Sequence, residues 1–367
     1  MVDRVTGEPN DGDIVAVADR SGRFFGWAFW HGRSQIALRM ISRATARPDD
    51  ALFAARVAQA VSLRNDVLQL PKTTDAYRLI HAEGDGLSGL IADRFGPYVV
   101  IELFSLAMFR RLAKIEDALI DAGISVKQMI VRADKRICLQ EGFNLGQRAA
   151  RKDLPIEVTE NGVKFLVQAG GGHKTGFFCD QRDNRLALAE LTPGRRVLDC
   201  CCYTGGFACY AASRGGARSV DGVDLDEEAI AGAQINARLN GAKIEFQHAD
   251  AFDFLRAAVA AGRKWDVVVV DPSKFVASRV MMETGLRKYF DLNRLAAGVV
   301  APGGLLLTCC CSGLVDQPTF LDTAGRGIRV AGRTAQVFRV TGPGGDHPIL
   351  AESPEGDYLK AVWARVL

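Results

Sequence analysis

Four short apolar runs in the second half of the chain each end on an aspartate, and no other feature restricts the fold as much. Val197 and Leu198 lead to Asp199, residues 220–223 to Asp224, residues 244–247 to Asp250, and residues 267–270 to Asp271. Helical stretches lie between them, and the one over 227–239 closes on Asn240-Gly241, a common helix stop. Strands alternating with helices predict a doubly wound, largely parallel sheet, which binds ligands at the carboxyl ends of its strands. A single strand-end acid is as readily a helix cap. Four in succession favour a binding site.

The first of these strands opens the stretch RVLDCCCYTGGFACYAA, residues 196–212, which passes through Gly205 and Gly206 into a helix of small residues. Glycines allow close backbone approach, and a helix start offers unpaired N–H groups. The GxGxxG fingerprint is absent, which disfavours a nicotinamide or flavin cofactor. Asp224, one βα unit after Asp199, stands where an acid meets ribose hydroxyls in nucleotide-binding sheets. Asp250, within HADAF, is placed for an adenine edge.

Asp271 belongs to VVVVDPSKF, in which proline fixes an extended turn and Phe275 is placed to stack on a planar substrate. The next buried run, LLLTCCCSG, ends in Cys309, Cys310 and Cys311. An acid and a thiol at neighbouring strand ends suit attack on a pyrimidine. The thiolate adds at carbon 6, the acid supports protonation at ring nitrogen 3, and carbon 5 becomes nucleophilic enough to take a methyl group. Strand alternation alone does not choose between Cys309 and Cys311, and free cysteines are commonly small core residues.

The chain has 367 residues and is 48% hydrophobic, enough for two or three cored domains. No apolar run approaches the roughly 20 residues that span a bilayer, and the first residues lack a signal-peptide core, so no membrane and a cytoplasmic location are expected. Two cysteine triplets agree with a reducing compartment, and adjacent cysteines lack zinc-site spacing, so no metal is expected. The net charge of +3 names no partner. Its distribution says more: residues 20–47 hold six arginines, Arg23 and Arg39 among them, and no acid, interleaved with aromatics. That combination suits RNA, with arginine on phosphates and rings on bases. A small β-barrel with core aromatics and solvated arginines is the equal alternative.

Strands are predicted over 13–17, 23–30 and 35–41, and a capped connecting helix after Pro48-Asp49-Asp50. Residues 77–81, 98–104 and 128–131 read as strands of a second unit, with 137–139 a further one and 94–97 a loop. A helix covers 108–122. Asn161-Gly162 marks a hairpin, and the polar glycine-rich stretch 169–185 leads into a helix.

GGHKTGFFCDQRDNR, VLDCCCYTGGFACYAA, DPSKF, TCCCSGL and DHPILAESPEGDYLK, in this order, resemble the RlmI-like family of bacterial ribosomal-RNA large-subunit methyltransferases. The resemblance runs from about Pro9 to Leu367. It implies an α/β fold, with a Rossmann-like class I methyltransferase domain over 155–367 and a small central α/β domain over 73–154. A linker helix over 48–72 would follow an incomplete PUA-like domain over 1–47. It also implies S-adenosylmethionine as cofactor and methylation of cytosine carbon 5 in 23S ribosomal RNA.

Carried onto this sequence, Lys174, Thr175 and Arg182 lie close to the cofactor. Tyr203, Gly205 and Gly206 surround its methionine part, beside Asp199. Asp224 and Asp250 take the ribose and adenine sides. Asp271 is the motif acid, Cys311 the nucleophile, and Lys274 and Phe275 face the substrate. Tyr358 and Lys360 match a tail of unassigned role. Ser273 replaces the family's usual proline, and Cys309 and Cys310 replace phenylalanine and serine. Two other functions fit the residues: methylation of another base atom such as guanine nitrogen 7, and non-catalytic RNA binding. A homodimer is left open.

Overall fold

The computed structural model describes residues 2–34, 36–149, 154–169 and 176–367. The chain forms two compact units. One comprises Met1–Val158, Val167–Cys179 and Gly345–Gly356, the other Thr159–Leu166, Asp180–Gly344 and Asp357–Leu367.

The first unit starts with an antiparallel sheet of β1 (Ile14–Ala18), β2 (Phe24–Trp30) and β3 (Leu38–Ser42). Asp49 caps α1 (Asp50–Ser62) by accepting from the Leu52 N–H. A second sheet has the order β4 (Ala76–His81), β5 (Leu90–Phe95), β6 (Tyr98–Leu103), β7 (Gln128–Arg132). α2 (Leu106–Asp121), capped by Ser105, carries the chain from β6 to the parallel β7. Phe53, Val57 and Val61 of α1 share one buried cluster with Phe29, Ile41 and the second sheet, so the connecting helix is itself core.

Two local expectations fail here. Residues 94–97 are not all loop, because Arg94 and Phe95 end β5. The charged pair in that strand hid it: Asp93 is fully buried opposite Arg78 of β4, which donates from Nε at 2.5 Å. Residues 137–139 lie in α3 (Lys135–Glu141), not in a strand. Asp134 caps its start, and Gly142, at φ 70°, ends it in the left-handed conformation.

β8 (Leu154–Glu160) and β9 (Val163–Ala169) form the hairpin, with Asn161 at φ 51° and Gly162 at φ 84°, both left-handed as a tight hairpin turn requires.

The second unit starts with α4 (Arg182–Ala189) and is built on a seven-stranded sheet. In chain order its elements are β10 (Arg196–Cys200), α5 (Gly206–Cys209), β11 (Ser219–Asp224), α6 (Glu227–Leu239), β12 (Glu245–His248) and α7 (Ala251–Ala260). β13 (Trp265–Val270), α8 (Met282–Val299), β14 (Val300–Cys310), α9 (Gln317–Val330), β15 (Ala335–Thr341) and β16 (Lys360–Val366) follow. The sheet order is β12-β11-β10-β13-β14-β16-β15, with β16 antiparallel to both neighbours and the other pairings parallel. Helices cover both faces, which is why Val267–Val270 can be four valines in a row, each fully buried. The order reverses at β10, between β11 and β13, the switch point beyond whose strand ends sheets of this type bind ligands. Among the described residues no helix is long and apolar enough to cross a membrane.

Candidate active site

At the end of β10, Asp199 is almost wholly buried. Its Oδ2 accepts from the Ala208 N–H at 2.9 Å, in the first turn of α5. Its Oδ1 is buried with no hydrogen-bond partner. Burial pushes this carboxyl well above the usual carboxylate range, and the negative charges of Asp271 and Asp224 push the same way. Asp224 holds the loop after β10, with Oδ2 accepting from the Tyr203 N–H (2.8 Å) and Oδ1 from the Asp226 N–H (2.9 Å). Asp250 caps α7, accepting from Phe252 and Asp253. A cap and a strand-end acid are here the same residue.

The loop between β10 and α5 is strained. Cys201 (φ 59°), Tyr203 (φ 48°) and Gly205 (φ 78°) are all left-handed, a conformation that costs a side-chain-bearing residue about 1–2 kcal/mol. Sequence reasoning marked the glycines but not the strain at Cys201, since nothing in a cysteine signals it. Packing around these glycines is tight. A Cβ on Gly205 would lie 3.1 Å from the Phe246 ring, and one on Gly206 3.2 Å from Cδ of Arg185. A third, on Gly222 of β11, would be 2.5 Å from Phe246.

Below this loop Glu160 and Arg185 form a buried bidentate ion pair at 2.9 Å, and the Tyr210 hydroxyl donates to Glu160. Burial raises the Glu160 carboxyl, and the two arginines of α4 oppose it. Arg182 is buried, with Nε donating to Asp183. Lys174 and Thr175 lie outside the described residues.

β13 and β14 are parallel neighbours, with Val270 opposite Thr308. Their continuations bring Asp271 and the cysteine triplet together. Oδ2 of Asp271 accepts from Gln181 Nε2 at 3.0 Å, and the Cys311 thiol donates to the Pro272 carbonyl at 3.7 Å. Cys309 and Cys310 are fully buried, whereas Cys311 is half-buried. Burial pushes the Cys309 thiol far up, and Cys311 is the partly accessible thiol of the triplet. The tail motif braces this turn. Buried Lys360 donates to the carbonyls of Ser312 and Tyr358, both at 2.9 Å, and the Tyr358 hydroxyl donates to Asp180 at 2.6 Å. Lys274 is exposed, and Phe275 packs on Tyr289 with Nζ of Lys288 5.6 Å from its ring centre.

The N-terminal arginines differ from expectation. Arg39 is turned inward, with a side chain only 12% exposed, donating to the Phe104 carbonyl and lying 3.7 Å from Glu141. Glu141 is buried and draws this cation in, so Arg39 offers nothing to a phosphate. Arg23 is exposed but pairs with Asp19, as Arg20 does with Asp3 and Arg43 with Glu352. The acid-free stretch is therefore largely neutralised by acids from outside it. Phe24 and Phe25 remain exposed, with Arg43 stacked 4.8 Å above the Phe25 ring centre.

Comparison with known proteins bears on this geometry. Residues 149–343 match the profile of the S-adenosylmethionine-dependent methyltransferases, and residues 1–43 that of a PUA-like domain. Ribosomal RNA large subunit methyltransferase I of Aeromonas hydrophila is 38% identical over 99% of this chain and 93% of its own length. This chain belongs to that family of S-adenosylmethionine-dependent methyltransferases. The family's protein from Salmonella arizonae is likewise 38% identical, over 100% of this chain and 92% of its own. The crystal structure of SMU.776 complexed with SAH shares the fold, with a TM-score of 0.83 at 20% identity over 97% of this chain and 92% of that one. The residues at the switch point fit the family's cofactor. The partnerless buried Oδ1 of Asp199 suits the amino group of the methionine moiety, and the carboxylate of Asp224 stands at the next strand end.

Proposed function

We propose that this methyltransferase forms 5-methylcytosine in large-subunit (23S) ribosomal RNA, with Cys311 as nucleophile and Asp271 as the acid that faces the base. One observation carries the reading: the half-buried thiol of a cysteine triplet rests on the carbonyl of Pro272, next to a strand-end aspartate. The relatives are large-subunit ribosomal RNA methyltransferases by name, which supports the substrate class.

Asp199, Tyr203, Gly205 and Gly206 would hold the methionine part of S-adenosylmethionine. Asp224 would hold the ribose and Asp250 the adenine, with Arg182 close by. Bound there, the cofactor supplies an electrophilic methyl group. Cys311, as thiolate, adds to carbon 6 of the cytosine. Asp271 orients the ring and places a proton at nitrogen 3, so that the π pair of the C5=C6 bond, displaced as sulfur bonds to carbon 6, is available at carbon 5 to bond the methyl group. Loss of the carbon-5 proton to a base, cleavage of the S–C6 bond and return of the nitrogen-3 proton to Asp271 then restore the aromatic ring and free Cys311 as thiolate. Lys274 and Phe275 border the base. The exposed rings of Phe24 and Phe25 would contact RNA elsewhere.

The test is nucleoside mass spectrometry of unmodified 23S RNA incubated with the enzyme and methyl-labelled S-adenosylmethionine. Labelled 5-methylcytidine, abolished in Cys311→Ala, is expected. A different labelled nucleoside, or full activity of Cys311→Ala, sinks the thiol mechanism.

A further inference from the structure

Val280 is the most exposed large apolar side chain among the described residues, at 94%. It stands in the middle of a single helical turn, Arg279–Met281, on the way from β13 to α8. The turn is held in place. The Met281 N–H donates to the Ser278 carbonyl at 3.0 Å, and the Thr284 hydroxyl donates to the Met281 carbonyl at 3.2 Å. The chain on either side is packed: Val276 and Tyr289 share a buried cluster with Cys310 of β14, Met282 and Leu286 rest against it, and a Cβ on Gly285 would run into Val276. The Val276 N–H donates to Oγ of Ser312, the residue after Cys311, at 3.2 Å. Four residues of chain span at most about 14 Å, so Val280 lies within that distance of Val276 and near the end of β14 that carries the thiol.

A lone apolar residue on a surface is ordinary, but the surroundings of this one are not. Residues 272–288 hold four cations and one acid, Glu283, which pairs with Arg287. Lys274, Arg279 and Lys288 are exposed, and among the described residues no carboxylate lies within ion-pair reach of them, in contrast to the arginines of the N-terminal stretch. Nζ of Lys288 sits 5.6 Å from the ring centre of Phe275, which places this charge beside the motif that follows Asp271. Unneutralised cations around an apolar tip suit a nucleic acid, with phosphates on the charges and bases on the tip. The chemistry calls for such a tip. Sulfur bonds to carbon 6 along the normal to the ring, a direction that the neighbouring base occupies in a stacked strand, so the cytosine must leave the stack. Proteins that open a base step fill it with an apolar side chain.

We propose that Val280 enters the base stack of the RNA at the place the target cytosine has left, with Arg279 and Lys288 on the flanking phosphates. This rests on the reading that a thiol attacks carbon 6. Val280 touches little of the core, so its variants fold. Val280→p-benzoylphenylalanine, irradiated with unmodified 23S RNA, is expected to cross-link to a nucleotide directly beside the one that takes the methyl label. Cross-links only at distant nucleotides, or none, overturn the proposal. Val280→Gly should lower kcat about tenfold with the RNA KM within threefold and unchanged affinity for S-adenosylmethionine, and Val280→Leu should restore it. Full activity of Val280→Gly overturns the proposal as well. Arg279→Gln combined with Lys288→Gln should raise the Kd for 23S RNA and lower the slope of log Kd against log salt by about 1.5, the share of two phosphates. An unchanged slope counts against it, since a structural role would move the Kd without moving its salt dependence. If Val280→Asp dissociates an oligomer while methylation stays at the wild-type rate, the tip belongs to a second copy of the chain and the proposal falls. If wild-type enzyme labels another nucleoside and the cross-link still flanks it, the carbon-5 reading falls and the role of Val280 stands.

Discussion

Asp199 sits in an environment far from that of a surface carboxylate. It is buried, with one oxygen on the Ala208 amide and the other without a partner. A carboxyl raised on folding contributes its stability below its unfolded pKa, and that contribution is lost as pH rises through the folded value. The cofactor-free protein should therefore lose stability on this account as pH climbs above the ordinary carboxylate range. Asp199→Asn should flatten that part of the curve. In thermal melts across pH, the variant's advantage over wild type should grow with pH. The same substitution should weaken S-adenosylmethionine about ten- to hundredfold by titration calorimetry, since it would remove the charge-assisted bond to an ammonium proposed for Asp199. Equal affinity in the two proteins would remove Asp199 from the cofactor site. Position at a strand end was readable for this residue. Its second oxygen, which has no partner, was not, because the absence of a partner depends on every neighbour.

The glycine loop and the two strands beside it work as one element. Phe246 of β12 touches the space over both Gly205 and Gly222, so its ring sets how closely the loop and β11 approach. Gly222→Ala drives a methyl to within 2.5 Å of that ring and should cost about 1–3 kcal/mol in urea unfolding. Because the displaced ring also bears on Gly205, cofactor affinity should fall in the same variant. Phe246→Leu in the Gly222→Ala background should recover most of both losses. An additive double variant would show the two contacts to be independent. The strand-loop-helix was evident from its apolar run and glycines. The left-handed Cys201 and Tyr203 were not, since Cys and Tyr are unremarkable in sequence and only the surrounding packing forces the conformation. β5 was missed for a related reason: Asp93 reads as a loop residue until Arg78 is known to lie across from it.

For the molecule as a whole, the distribution of charge along the chain differs from its distribution in space. The N-terminal stretch looks strongly basic, yet Arg20, Arg23, Arg33, Arg39 and Arg43 each have a carboxylate within ion-pair reach. RNA affinity from this region should depend on ring stacking more than on phosphate neutralisation. Phe24→Ser with Phe25→Ser should raise the RNA KM about tenfold at unchanged kcat. Arg23→Gln should change it little and leave the salt dependence of binding nearly as it was. A steep loss of salt dependence in Arg23→Gln would restore the electrostatic reading. The strand-helix alternation, the Asn-Gly hairpin, the aspartates at strand ends and the family motifs were all present in the linear sequence. Each is a local pattern whose physics acts over a few residues. Which thiol stays accessible and where Arg39 points were settled by tertiary structure alone. Burial and hydrogen-bond partnership there join residues from about forty to about a hundred positions apart, and no local propensity carries that information.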